Sequence, residues 1–299
     1  MMKALYSGVS GIRSHQTKMD VIGNNIANVN TNGFKSQRAT FRDVYYQTLK
    51  SPSAPGTDRG GTNASQVGYG VQVGSIDTIH SISGYSPTDK ATDLYINGEG
   101  YFVVQDSNKE VLYTRLGAMN FDSSGKLVDS SGSQVMGWNV TGFGADPYAA
   151  VYEAAKTAVP PSVSALTISN FDQYKNITIN VDGTITAATK VAITVPGTVP
   201  ADKIVTIGQV AVANIPNQDA LILEGNSYYK AGNNAGIPTY NVAGTGGTGS
   251  IVTNGLEMSN VDLAKEFSDM IITQRGFQAN TKIISVVDQM LEELVNLKR

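Results

Sequence analysis

The sequence predicts an α+β chain: a discontinuous helical domain made by the two ends, and a mainly β outer domain between them. Three observations predict it. Apolar residues recur at alternating three- and four-residue steps only near the termini, the pattern of a helix-packing or coiled-coil seam. Between the ends the period falls to two, with glycine-bearing turns at short intervals, as strands and hairpins require. Charge is scarce, 16% of 299 residues against roughly a quarter in globular chains. Ser, Thr, Asn, Gln and 31 glycines must cover the surface instead, which suits turns and faces that touch other subunits.

Taken in order, residues 1–30 form the first helix. Leu5, Val9, Ile12, Met19 and Ile26 carry its apolar line, which skips a step at His15–Gln16. The turn formers from Asn28 to Gly33 end it, with Gly33 suited to a left-handed C-terminal position. Residues 31–70 show no clear period and read as a connecting arm, extended or partly helical, with no core of its own. Phe34, Phe41, Tyr45 and Tyr46 are its expected contacts with neighbours, because aromatic side chains dominate interface energetics.

The β-rich domain covers 71–138 and 172–256. Val71, Val73 and Ile76 open it, and Leu94, Ile96, Tyr101, Val103, Leu112, Tyr113, Leu127, Val135 and Trp138 continue it. Asn97–Gly100, Asp122–Gly125, Asp129–Gly132 and Asn180–Gly183 read as hairpin turns. Residues 139–171 break the rhythm as a small insertion, with one short helix expected in Ala149–Val159. Strands resume at Ile177–Val181, Thr184–Ala187, Val191–Val195 and Ile204–Val212, and 230–255 reads as low-complexity loop.

Residues 257–299 form the last helix. Ser259 is the expected cap, with Asp262 at the positive end and Lys298 and Arg299 at the negative one. Leu263, Phe267, Met270, Phe277, Ile284 and Leu291 carry its line. The two terminal lines admit two readings. They are an assembly seam between copies, or a helix hairpin that buries its own stripe. Ile271, Val287 and Leu294 add a second apolar side to the last helix, more than one short partner covers, which favours an interface.

Composition also excludes. There is no cysteine, hence no disulfide, thiolate metal site or cysteine nucleophile, and the two histidines, His15 and His80, are far apart. Gly244–Gly249 matches G-x-G-x-x-G, but no apolar strand feeds it and no helix follows at once, so the dinucleotide context fails. Asp122, Asp129 and Asp182 sit in glycine turns without calcium-loop spacing. No Gly-x-Ser-x-Gly elbow occurs. We therefore expect no catalytic, cofactor or metal residues. A net charge of −3 without a basic run argues against nucleic acid. No apolar run approaches the ~20 residues of a membrane span, and the N-terminus lacks the h-region of a cleaved signal peptide.

The stretch Asp20–Lys35, with Asn24, Asn25, Asn28, Gly33 and Phe34, resembles the N-terminal signature of the bacterial flagellar rod and hook proteins. Gly98–Val103, Tyr113–Gly117, Leu256–Ala264 and Met270–Gln278 resemble the same family, and the closing Glu292–Arg299 is most similar to the compact hook proteins of Gram-positive bacteria. The resemblance implies a structural subunit, not an enzyme. It implies a curved hollow tube outside the cell that transmits torque from rod to filament and conducts exported subunits. The terminal helices would line the tube, and the subunit would leave by the flagellar export apparatus with no signal cleaved. The implied partners are further copies of the chain and the rod, hook-cap and hook–filament junction proteins. A distal rod subunit is the alternative within the family. An extracellular β-domain adhesin or enzyme with helical oligomerisation ends is the alternative outside it.

Overall fold

Helix α1 spans Met2–Ala27 and helix α2 spans Leu263–Leu297 in a computed structural model that describes residues 2–56, 59–143, 150–152, 163–168, 170–190, 193–194, 198–199 and 202–297. The chain divides into two units. The first holds both helices and Ser36–Ile79, and the second holds Asn30–Lys35 and His80–Asn260.

In the first unit the two helices run antiparallel and pack on each other. A Cβ placed on Gly8 would lie 3.3 Å from Ile284, one on Gly11 2.7 Å from Asn280, and one on Gly276 2.7 Å from His15. Each glycine is a notch filled by a side chain of the other helix. The inward face of α2 thus carries Gly276, Asn280 and Ile284, with buried Thr273 and Val287. Asp262 caps α2, accepting from the amides of Ala264 at 2.9 Å and Lys265 at 3.3 Å. The helix therefore starts at Leu263, later than the Ser259 cap would place it, and its 35 residues span about 52 Å at ~1.5 Å each.

The rest of this unit is strand, so of the two readings of the arm, extended or partly helical, the described residues follow the extended one. β1 (Gln37–Asp43) pairs with β4 (Val71–Thr78), and β2 (Tyr46–Lys50) pairs with β3 (Ser65–Gly68), both antiparallel. Two polar devices of α1 hold them. Asn25 donates to the Gln37 carbonyl at 2.7 Å and accepts from the Gln37 amide at 3.0 Å, so its side chain stands in for a neighbouring strand at the start of β1. The Ser10 hydroxyl accepts from the Val71 amide and the Ser14 hydroxyl donates to the Val71 carbonyl, each at 3.4 Å. α1 therefore turns its glycine face to α2 and its serine face to β4.

The second unit is mainly strand. It runs β5 (Tyr85–Pro87), β6 (Leu94–Asn97), β7 (Tyr101–Gln105), β8 (Val111–Thr114), β9 (Met119–Phe121), β10 (Leu127–Asp129) and β11 (Gln134–Phe143). β12 (Ala150–Tyr152), β13 (Ser164–Ala165), β14 (Tyr174–Ile179), β15 (Thr184–Thr189), β16 (Ile193–Thr194), β17 (Thr198–Val199) and β18 (Ile204–Asn214) follow. β19 (Leu221–Gly225), β20 (Tyr228–Ala231), β21 (Thr239–Val242), β22 (Ser250–Thr253) and β23 (Gly255–Glu257) complete it. The large sheet follows the path β14-β15-β18-β11-β7-β8-β20-β19, with β9, β10, β12, β13 and β21 attached at its sides. Side chains alternate across a strand. On β7, Phe102 and Val104 join one buried cluster while Tyr101 and Val103 join another, so both faces of this strand are covered.

Three of the four expected hairpins form: β9–β10, β10–β11 and β14–β15. The fourth does not. β6 pairs with β22, not β7, so Asn97–Gly100 is a corner where the chain changes sheets. Gly98, at φ 139°, lets it pass Gly249, whose Cα would be 2.5 Å from a Cβ there. The 230–255 stretch, expected as loop, contains β21 and β22, which bracket the glycine run. Of the helix expected in Ala149–Val159, Ala150–Tyr152 is a strand on β11, and the rest lies outside the described residues, as do Val191, Val195, Lys298 and Arg299.

Candidate functional site

The terminal helices present two kinds of apolar surface. Leu5, Ile12, Met19 and Ile26 on α1, and Met270, Phe277, Ile284 and Leu291 on α2, are half-buried, whereas Val9, Leu263 and Phe267 are exposed. The single line drawn through the sequence thus divides. The helix-hairpin reading holds for the glycine-notched face, where Ile284 lies, and Val287, assigned from sequence to the outer side, lies inside. A different line faces outward. On α2 it is Ile283, Val286, Met290, Leu294 and Leu297, and on α1 it is Met2, Tyr6 and Val9. Both follow the three-and-four step of one helix face, and contiguous exposed apolar stripes of this kind mark interaction surfaces.

The strands of the first unit add exposed aromatics. Tyr45 and Tyr46 are 63% and 54% exposed, beside Leu49 and Val67. Tyr45 stacks on Tyr69 with centroids 4.8 Å apart. Phe41 sits edge-on to His15 at 5.6 Å, and burial in that setting pushes the imidazole pKa down, helped by Lys18. Phe34, grouped with these from sequence, belongs to the second unit and is half-buried.

The signature residues divide into distinct tasks. The Asn28 side-chain amide donates to the Asn24 carbonyl at 2.9 Å and to its Oδ1 at 3.1 Å, closing the end of α1. Asn25 is the β1 partner already described. Gly33, at φ 71°, donates its amide to the Glu257 carbonyl at 2.8 Å, and a Cβ there would meet the Leu116 amide nitrogen at 2.9 Å.

Two residues beyond Gly33 lies a feature that sequence reading missed. Lys35, Arg115 and Glu257 form a fully buried charge cluster inside the second unit. Lys35 Nζ donates to Glu257 Oε1 at 2.5 Å and to the Ser81 carbonyl at 2.7 Å. Arg115 reaches Glu257 Oε2 at 3.5 Å and lies 5.2 Å from the centre of the Tyr101 ring. The Ser83 amide and hydroxyl add donors to Glu257 at 3.3 and 3.2 Å. Burial lowers the Lys35 pKa, and Glu257 opposes that shift. Two cations share one carboxylate, so the cluster is cationic. Beside it, the Tyr101 hydroxyl bonds His80 Nδ1 at 2.8 Å. Burial, opposed by Asp219, brings the His80 pKa down to about 4.

The Asp122, Asp129 and Asp182 carboxylates accept from amides of their own turns. The glycine run after β21 leads into strand β22 rather than a helix. Among the described residues no group of three or more His, Asp or Glu side chains comes together as a metal site, and no helix is long and apolar enough to cross a membrane.

Three family models match the chain in order. They are described as "Flagella basal body rod protein" over residues 5–35, "Flagellar hook protein FlgE/F/G D1 domain" over 95–187, and "Flagellar basal body rod FlgEFG protein C-terminal" over 253–297. The first match covers the Asn24–Phe34 signature and Lys35, the third covers Glu257 and α2. Among relatives, a flagellar basal-body rod protein FlgG of Bacillus subtilis is 40% identical over 300 positions, with all of both chains covered. A flagellar hook protein FlgE of Borreliella burgdorferi is 31% identical over 442 positions, again with both chains fully covered. A FlgG of Buchnera aphidicola is 33% identical, covering 99% of this chain and all of its own. These relationships run the full length of the chain, through both helical ends and the β unit: it belongs to the flagellar hook and basal-body rod protein family and is a structural subunit of the flagellar hook or rod.

Proposed function

We propose that the chain polymerises with itself into the curved, hollow hook, outside the cell, where it transmits torque and conducts exported subunits. The observation that carries self-assembly is the outward apolar line on α1 and α2, left exposed after the two helices have packed on each other. The surface chemistry supports the hook. In a bent rotating tube each subunit slides against its neighbours, and replaceable polar or water-mediated contacts tolerate that better than interlocked apolar cores. With 16% charged residues and abundant Ser, Thr, Asn, Gln and Gly, this chain offers such a surface. Export without signal cleavage, and contacts with rod, hook-cap and hook–filament junction proteins, belong to the same reading. Phe41, Tyr45 and Tyr46 are its arm contacts, and the half-buried members of the sequence line, Leu5, Ile12, Met19 and Ile26 with Met270, Phe277, Ile284 and Leu291, hold each subunit's helix pair in shape for assembly.

A second reading, a straight distal rod, has its own support. The Bacillus FlgG aligns end to end over 300 positions, whereas the hook-named relatives need 442 and 464. Electron microscopy of tubes grown from purified chain separates the two. Curved tubes support the hook, straight tubes the rod, and absence of any polymer counts against both.

A further inference from the structure

We infer that the contact joining copies along the tube seats the outer stripe of α2 from one copy in a groove between α1 and β4 of the next. The inference rests on the tube reading above. The groove lies wholly within the first unit; Tyr6, Val9, Val44, Val71 and Val73 form its apolar lining, and Arg13 with four uncharged polar residues completes it. Tyr6 is 63% exposed, and Arg13 follows Val9 by four residues and Tyr6 by seven, so all three share one helix face. The proposed occupant is apolar and exposed: Val286, Met290, Leu294 and Leu297. Glu293 stands three residues after Met290 and seven after Val286, on that same face.

Charge makes the two surfaces complementary. Among the described residues no ion pair engages Arg13, and none engages Asp288, Glu292 or Glu293. From Ile283 to Leu297 α2 carries these three acids and no base, while α1 carries Lys3, Arg13 and Lys18 before its first acid, Asp20. An unpaired cation beside the apolar lining of a groove and unpaired acids beside an apolar stripe are what a steered, register-fixing contact requires. Groove and stripe are also different surfaces of the same molecule. A contact between unlike surfaces does not close on itself as a two-fold dimer does, and generates a ring or an open helical polymer. A face that paired with itself would stop at two copies.

The chain's freedom from cysteine gives a direct test. Within one copy, Gly8 faces Ile284 and Gly11 faces Asn280, so Leu294 lies at least ten residues further along α2 than the level of Val9. That is about 15 Å at ~1.5 Å per residue, beyond the ~7 Å between Cα atoms that a disulfide spans. Oxidising tubes of Val9→Cys/Leu294→Cys should yield a ladder of cross-linked multimers, and either single variant should not. In parallel, Arg13→Glu should lower polymer yield at least about tenfold through like-charge repulsion, Arg13→Lys should assemble normally, and Arg13→Glu/Glu293→Arg should return to within about threefold of the parent. Arg13 is exposed, so circular dichroism of the monomer should stay unchanged. Parent tubes that form while Arg13→Glu also assembles normally, or while neither ladder nor charge-swap rescue appears, overturn this contact and leave the tube reading standing. A parent chain that never forms tubes overturns both.

Discussion

Replacing Glu257 by glutamine should destabilise the β unit more than any other single conservative change in it. The carboxylate accepts from Lys35, Arg115 and both donors of Ser83, and it is the one anion facing two buried cations. Glutamine keeps the shape but leaves those cations uncompensated and points an amide donor at other donors. Removing one partner of a buried pair costs roughly 3–5 kcal/mol, because the stranded charge keeps its full desolvation penalty. For a unit of this size each kcal/mol lowers Tm by about 2–4 °C, so the expected drop is on the order of 10 °C. Lys35→Met should cost clearly less. It removes the surplus cation, leaves Arg115 and Glu257 as a neutral pair, and relieves the burial that already depresses the lysine pKa. Differential scanning calorimetry of the three monomers is the measurement. A Glu257→Gln protein melting within about 2 °C of the parent, or a Lys35→Met protein melting lower than Glu257→Gln, would refute the account of an over-cationic cluster held by one carboxylate.

Two further outcomes follow from the same geometry. His80 has its pKa held near 4 by burial against about 6.5 unfolded. Between those values the unfolded chain binds the proton and the native one does not, so stability falls as pH drops from about 6.5 to 4. At about 1.4 kcal/mol per pKa unit, discounted because the imidazole is only half-buried, roughly 2 kcal/mol is at stake. His80→Gln should flatten that part of a stability–pH curve, and an unchanged slope rejects the assignment. Gly11→Leu should drive a side chain into Asn280, whose amide already lies 2.7 Å from the Cβ position. Overpacking of about 1–3 kcal/mol should speed hydrogen exchange in both helices and leave the β unit's melting unchanged, and unaltered exchange would show that the helices do not meet there.

Much of this fold was legible because its signals are local. The three-and-four step identified both helices, and aspartate–glycine turns identified three hairpins. What failed was long-range. Asn97–Gly100 has hairpin chemistry, but β6 finds its partner more than 150 residues later, and no turn signal reports that. β2 and β3 are exposed along their whole length, so no face is buried and no period of two is imposed on the sequence. Asn25 acts as a strand partner through its amide, a pairing invisible until the chain folds back on α1. The apolar line of each helix was legible as a line, but which side of it faces the other helix depends on Gly8, Gly11 and Gly276, residues that carry no hydrophobic signal at all. The missed cluster is the extreme case. Lys35, Arg115 and Glu257 are 80 or more residues apart, and each alone resembles a solvated surface charge.

That cluster also explains why the second unit keeps six residues from between α1 and β1. Chain crossings between the units fall at Val29–Asn30, Lys35–Ser36, Ile79–His80 and Asn260–Val261. On the second unit's side, Gly33 bonds Glu257's backbone, Lys35 bonds its carboxylate and the Ser81 carbonyl, and Ser83 bonds that carboxylate too. Segments adjoining all four crossings are therefore tied to one residue or its partners. Apolar packing could supply as much stability, since buried ion pairs seldom exceed hydrophobic replacements. It could not supply the same register. A slip of one residue in the 30–35 segment would withdraw Lys35 from both the Glu257 carboxylate and the Ser81 carbonyl and put Phe34 or Ser36 in its place, leaving each of those acceptors one donor short. The cluster thus fixes where each terminal segment leaves the β unit, to the residue, and hydrophobic substitution of all three charges should preserve melting temperature while loosening that registration.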